Sequence, residues 1–427
     1  MSRATSNARG HWGARLKVLL VAALAALLLA PVAQVPARER DRTGDPPKLD
    51  AKSWILIEQR SGDVLTSNSV DEVLPMASTT KLMTAYLAIQ RLDPSRVVRV
   101  GYYPADPVES VMGLEPGQKV SVRDLLHGLI MLSGNDAAVA LAKAVSGTVP
   151  RFVRLMNRTA ARLGLDQTGY RNPIGLDAPG HLSSAGDLAK ISRALMRMPR
   201  FRAIAGDREA LLTSYRPPLE ITTPTDVLRS SPCAKGIKTG ATNLAGYILA
   251  SAGEKRGVEL IGVVMGTSSE LARDSESARL LEWGFSLYRE RVPLRRGTVA
   301  AEVPIRFRDP GLELVPGATE RVGLRKGQVL EVRLNLPDEV EGPIRRGLPI
   351  GRALVLVDGE RVAEVPLLAA NPVSPPTAVE EVRGFTEERF FLLGLLLFAI
   401  LLLAVVFGRR RDRKAREAVR RIGRKRS

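Results

Sequence analysis

The sequence predicts an α+β domain followed by a small all-β domain and a C-terminal transmembrane helix. Three observations carry this reading. Residues 51–291 alternate helical and strand patterns without a long break, residues 292–373 change to short strands punctuated by Gly and Pro, and residues 390–407 are an uninterrupted apolar run of 18. At 427 residues, with 45% hydrophobic and 25% charged residues, the chain is globular in composition and too long for one typical domain.

The N-terminus opens with Arg3, Arg9, Arg15 and Lys17 and no acid, then an apolar run over 18–33, then small residues around Val35-Pro36-Ala37. This is the tripartite pattern of a secretory signal over 1–37, with Ala37 the last residue removed. An uncleaved N-terminal anchor is the alternative, and either form exports the body of the chain. Residues 38–50 are polar and contain proline, as a linker would. Trp54-Ile55-Leu56-Ile57 and Val64-Leu65-Thr66 flank the turn Arg60-Ser61-Gly62-Asp63, which predicts a hairpin. Apolar spacing predicts helices over 79–92, 122–132, 136–145 and 151–163. A second hairpin is expected from strands 247–252 and 258–265 around the turn 253–257. The β domain shows strands at 303–307, 329–334, 353–357 and 361–365, and a second linker spans 374–389.

The run 390–407 would be about 27 Å long as a helix, close to the hydrocarbon thickness of a bilayer. The formal charge of +18 is concentrated beside it: residues 409–427 hold eleven Lys or Arg against Asp412 and Glu417. Such a distribution fits membrane topology better than nucleic-acid binding, so no nucleic-acid partner is expected. It places the basic tail 408–427 in the cytoplasm and the body of the protein outside the cytoplasmic membrane. Cys233 is the single cysteine, so no intramolecular disulfide forms, and His11, His127 and His181 lie too far apart for zinc-ligand spacing. No cofactor or metal is expected.

Chemistry is carried by three short motifs. In Ser78-Thr79-Thr80-Lys81 the i+3 spacing puts a hydroxyl and an amine on one helical face, and a neutral amine there takes the hydroxyl proton once its pKa is lowered. Ser133-Gly134-Asn135 lies between two predicted helices, where polar side chains project from a short loop. Lys238-Thr239-Gly240 precedes a strand, with glycine allowing close approach of a ligand and the lysine and hydroxyl suited to a carboxylate. Each alone has an ordinary structural explanation: an N-cap, a turn, an exposed edge lysine. Their order, with 52 residues from Lys81 to Ser133 and 103 from Asn135 to Lys238, is that of penicillin-binding proteins and class A β-lactamases.

From these motifs the chain resembles the low-molecular-weight penicillin-binding proteins, specifically the serine-type D-alanyl-D-alanine carboxypeptidases. The resemblance spans about 51–373. It also includes Asn172-Pro173-Ile174-Gly175-Leu176, the stretch from His181 to Ala189, and Gly236-Ile237 ahead of Lys238. It implies a β-lactamase/transpeptidase-like catalytic domain at 51–291, with a β domain at 292–373. It further implies that Ser78 is the acylated nucleophile, Lys81 its base, and Ser133 a proton relay to the leaving D-alanine. Asn135 would hold the substrate amide, Lys238 would keep Lys81 neutral, and Thr239 would bind the terminal carboxylate beside Gly240. Backbone N–H groups of Ser78 and Ala241 would form the oxyanion hole, and Arg273 falls where the family places a carboxylate-binding arginine. The expected partners are stem peptides ending in D-Ala-D-Ala, β-lactams as inhibitors, and the cytoplasmic membrane. A β-lactamase or an endopeptidase is compatible with the same motifs, and a catalytically silent peptidoglycan-binding scaffold is the reading from another class. The 172–176 segment and the β domain favour the carboxypeptidase. Two features depart from the family: Ala241 is small, and a spanning helix replaces an amphipathic one that lies on the membrane. His127 and His181 are read as structural, and Cys233 as an inert thiol.

Overall fold

The structure is a computed structural model that describes residues 44–223, 233–306, 308–380, 397–400 and 402–403. The part that carries the Ser78, Ser133 and Lys238 motifs is built on a five-stranded antiparallel sheet. The strands are β1 (Ser53–Glu58), β2 (Val64–Asn68), β3 (Ala234–Thr242), β4 (Gly246–Lys255) and β5 (Val258–Thr267), in the order β2-β1-β5-β4-β3. The helices that pack on one face are α1 (Lys81–Arg91), α2 (Val122–Met131), α3 (Asn135–Ser146), α4 (Val149–Arg162), α5 (Ala185–Met196) and α6 (Pro199–Gly206). A long helix, α7 (Glu270–Ser286), covers the other.

This three-layer plan explains why β1 reads as a continuous apolar run. Ile55 and Ile57 point into the large helical core with Ile261 and Val263, whereas Trp54 and Leu56 join Leu260, Val264, Leu280 and Leu281 under α7. A strand buried on both faces has no polar side to alternate with. The helix lies so close that a Cβ at Gly284 would fall 2.5 Å from Leu56. Apolar periodicity did not mark α7 in the sequence, because its buried residues include the polar Arg273, Asp274, Glu276 and Ser277. The predicted helices are found within two residues of the expected ends. The turn expected over 253–257 is tighter: Lys255 pairs with Val258, and Arg256 and Gly257 take φ of 52° and 74°. Two consecutive positive φ values make the two-residue turn whose twist matches antiparallel strands.

Beyond α7, β6 (Tyr288–Leu294) crosses residue 291 and pairs with β9 (Glu320–Arg325). A second sheet contains β7 (Ala301–Ile305), β8 (Arg308–Pro316), β10 (Leu330–Asn335), β11 (Pro349–Val357) and β12 (Glu360–Ala369), ordered β7-β8-β12-β11-β10. Its own core includes Val303, Leu312, Leu314, Val355 and Leu367. The four strands read from the sequence are present, and β8 and β9 are additional. The predicted signal over 1–37 and most of the apolar run 390–407 lie outside the described residues. Among the described residues, no helix is long and apolar enough to cross a membrane.

Candidate active site

The turn that carries Ser78 is made by its neighbours. Ser78 lies not in an α-helix, as expected, but in a 3₁₀ turn spanning Ala77–Thr80 that leads into α1. Thr79 and Thr80 donate their hydroxyls back to the carbonyls of Met76 and Ala77, holding the turn. In a 3₁₀ helix residues i and i+3 eclipse one another, so the tighter turn aligns Ser78 with Lys81 better than an α-helix would. Lys81 Nζ is 2.9 Å from Ser78 Oγ and donates to the carbonyl of Ile174 at 2.5 Å. Ser78 itself is half-buried while Lys81 is fully buried.

Burial pushes the Lys81 ammonium well below the ordinary lysine range, and the charge of Lys238 pushes it further, while Glu109 and Asp136 oppose the shift. Desolvation is the larger of these two causes and the Lys238 charge the second. Lys238 is itself lowered to about 7, first by burial and second by the charge of Arg273. Two buried ammonium groups cannot both stay charged cheaply in one cleft, which favours the neutral form of the Lys81 amine.

Asn172-Pro173-Ile174-Gly175-Leu176 forms the floor under this turn. Asn172 Oδ1 accepts from the N–H groups of Ile174 and Gly175 at 3.1 and 2.7 Å, and Nδ2 donates to the Leu176 carbonyl at 2.8 Å. That curl aims the Ile174 carbonyl at Lys81. Gly175 has φ of 102°, and a Cβ there would lie 2.1 Å from the Ala77 carbonyl, so no side chain fits. His181 accepts from the Arg171 N–H at Nδ1 (2.9 Å) and sits 2.7 Å from Thr80 Oγ1 through Nε2. Burial lowers its pKa to about 4, so it is the neutral tautomer that donates to Thr80 and braces the turn. The structural role expected for His181 is thus the observed one. His127, bonded to the Arg123 carbonyl and to Asp207, has no part in the cleft.

Ser133, Gly134 and Asn135 form the corner between α2 and α3. Ser133 is half-buried with φ of 60°, and its hydroxyl makes no hydrogen bond to Ser78 or Lys81 among the described residues. Asn135 is buried at the start of α3, its Nδ2 2.7 Å from Glu109 Oε2. Asp136 ties the corner to the preceding stretch by accepting from the N–H groups of Met112, Leu114 and Ala137 at 2.8–2.9 Å. Glu109 and Asp136 were not singled out from the sequence. Asp136 follows the motif directly, but Glu109 lies 26 residues from Asn135 and left no local signal.

The fourth wall is β3, an edge strand that among the described residues pairs only with β4, Lys238 opposite Ala250 and Gly240 opposite Ile248. A register shift beside Ile237 turns Lys238 inward, where it is 3% exposed and donates to the Thr239 carbonyl at 3.0 Å. A Cβ on Gly240 would lie 3.1 Å from the Ser78 nitrogen, so the strand grazes the Ser78 turn and needs glycine there. Thr239 is half-buried and Ala241 exposed. Arg273 on α7 is buried, its guanidinium bound through two nitrogens to Asp274 (2.7 and 3.0 Å) and through a third to Glu270 (3.0 Å). It reaches Lys238 through charge rather than by contact. Among the described residues no cluster of metal-ligating side chains occurs, and Cys233 is a free, half-buried thiol.

A serine within hydrogen-bond reach of a buried amine one turn away, set between a helical layer and a strand edge, is the arrangement of an active-serine acyl-transfer enzyme with lysine in place of histidine. The chain belongs to the D-alanyl-D-alanine carboxypeptidase family, whose model matches residues 40–269. It is 33% identical to a D-alanyl-D-alanine carboxypeptidase of Escherichia coli K12 over 82% of this chain and 91% of that one. A Bacillus subtilis D-alanyl-D-alanine carboxypeptidase is 32% identical over 75% of this chain and 85% of its own. Among solved structures, penicillin binding protein 5 of Haemophilus influenzae superposes with a TM-score of 0.55 at 31% identity, covering 78% of this chain and 99% of that one. A mutant of the Streptomyces K15 DD-transpeptidase gives 0.53 at 30% identity, covering 56% of this chain and all of the other. The protein is a serine-type D-Ala-D-Ala carboxypeptidase with a penicillin-binding-protein fold.

Proposed function

We propose that Ser78 attacks the carbonyl of the penultimate D-alanine in a peptidoglycan stem peptide while Lys81 takes its proton. The observation that carries this is the 2.9 Å contact between Ser78 Oγ and a fully buried amine whose pKa is lowered. The Ser78–carbonyl bond forms, and the tetrahedral oxyanion is met by the N–H groups of Ser78 and Ala241. Collapse breaks the amide C–N bond, and Ser133 passes a proton to the leaving amine of D-alanine. Water then hydrolyses the ester on Ser78, releasing the shortened peptide. Asn135 orients the substrate amide, and Lys238 and Thr239 hold the terminal carboxylate, whose arrival restores the ammonium form of Lys238. Arg273 supports that carboxylate site by charge, with three of its five N–H groups taken by Asp274 and Glu270.

The domains we assign are a catalytic one over 51–291 and a β domain over 292–373 that acts as stalk or contact surface. We further assign residues 1–37 to export and 390–407 to a membrane-spanning anchor, with the catalytic domain outside the cytoplasmic membrane and 408–427 inside. Supporting the anchor, residues 397–400 are helical with Leu397, Phe398 and Ile400 more than half exposed, as suits a helix surrounded by lipid. The deciding experiment is labelling with a fluorescent penicillin. Wild type should be labelled covalently and Ser78→Ala should not, with both folded by circular dichroism. Equal labelling of the mutant would remove Ser78 from its role.

A further inference from the structure

Glu109 lies on the stretch 101–118 that runs over the corner of α2 and α3. Its Oε2 accepts from Asn135 Nδ2 at 2.7 Å and from the Tyr103 hydroxyl, and its Oε1 accepts from the Asp106 N–H at 3.3 Å. The stretch is pinned there: the Asn135 N–H donates to the Ser110 carbonyl at 2.8 Å, and Asp136 holds the N–H groups of Met112 and Leu114. Glu109 is therefore not a loose surface acid. The other end of the Asn135 carboxamide, Oδ1, is buried with no partner among the described residues. A carboxylate only accepts, whereas a carboxamide has two N–H groups at one end and a carbonyl at the other. Glu109 thus decides which end of Asn135 faces it, takes one N–H, and leaves the second for a substrate carbonyl.

We propose that Glu109 is a positioning and charge-selecting residue for the peptidase reaction. It orients the Asn135 carboxamide and places a fixed negative charge beside the acyl donor. Donors with a cation near the amide held by Asn135 are favoured over donors with an anion there. This rests on the reading that Asn135 holds the substrate amide. A second consequence involves Lys81, which faces Lys238 from β3, Asp136 from α3 and Glu109 from the 101–118 stretch. The imidazole beyond Thr80 is neutral. The Glu109 carboxylate favours the ammonium form of Lys81, so removing that charge should move the acidic limb of the acylation profile to lower pH.

The test uses the full-length chain in detergent and three penicillins whose side chains carry an ammonium, no charge, or a carboxylate. Second-order acylation constants are measured for wild type, Glu109→Gln, Glu109→Ala and Glu115→Gln. Gln still accepts from Asn135 but has no charge; Ala does neither. Glu115 is an exposed acid of the same stretch and controls for net charge. The ammonium-to-carboxylate preference should fall about three- to tenfold in Glu109→Gln, the size expected of one solvent-screened charge nearby. Glu109→Ala should lose the preference too and acylate all three penicillins about tenfold more slowly. Both should shift the acidic limb downward, and Glu115→Gln should match wild type. An unchanged preference and limb in Glu109→Gln, or an equal change in Glu115→Gln, overturns the proposal whether or not Glu109→Ala folds. Failure of every protein to label at Ser78 would instead strike the underlying reading and the proposal together.

Discussion

The cleft and the β domain solve opposite problems with the same chain. In the cleft, Lys81, Lys238, Arg273 and Asp136 are all at most 4% exposed, and Ala77 and Ser133 hold positive φ without being glycine. In the β domain the described core is apolar, and ion pairs such as Arg352–Glu364, 3.0 Å apart, stay at the surface. Buried charge and left-handed backbone both cost stability and persist only where the surroundings hold them in place. In the cleft the two occur together, whereas the other left-handed non-glycine residues described, Ser69, Arg256 and Asp358, are exposed. In the β domain no charged side chain is buried among the described residues.

Substitutions should therefore separate activity from stability according to region. The largest effect is expected at Lys81. Replacing it with Arg keeps a cation but removes a base that can be neutral, and acylation should fall by about 10²–10⁴-fold, the usual worth of a positioned general base. An active Lys81→Arg enzyme in stopped-flow penicillin acylation would show that another group takes the Ser78 proton. Gly175→Ala comes next and affects both properties. Its methyl would meet the Ala77 carbonyl at 2.1 Å in a left-handed conformation, so unfolding should be easier by about 2–4 kcal/mol, with slower acylation. Chemical denaturation measures this, and a neutral result would mean that the 172–176 loop moves freely away from Ser78.

In the β domain, Leu314→Ala should also cost about 2–5 kcal/mol, because Leu314 is fully buried, yet acylation should stay near wild type. A matching loss of acylation would erase the contrast between the regions. The full coverage of the shorter Streptomyces K15 structure by 56% of this chain supports the expected independence. Lys238 sharpens the contrast through pH. Its folded value of about 7 lies below the ordinary 10.5, so unfolding takes up a proton between those values and stability from this group rises with pH across that window. Lys238→Met should flatten that rise in melting temperature, and Lys238→Gln should shift acylation by Lys81 to higher pH as a like charge is lost. The smallest effect belongs to the exposed pair: Arg352→Ala should change stability by less than about 0.5 kcal/mol.

What the sequence determined by itself was local. An apolar run and turn residues marked the first hairpin, and the i+3 interval between Ser78 and Lys81 put serine and amine together because any tight right-handed turn does so. The Lys238-Thr239-Gly240 motif was visible, although not that it lies within a strand, Ala234–Thr242, nor the register shift that turns Lys238 inward. Other features needed residues far apart in the chain. Gly175 is required only because it packs under Ala77, 98 positions away; Glu109 matters only because it meets Asn135; and α7 is recognisable only from the sheet face it covers. The acidity of Lys81 is the clearest case. Spacing could name the residue, but the shift comes first from burial and then from Lys238, and desolvation is a property of everything packed around a group rather than of its neighbours in sequence.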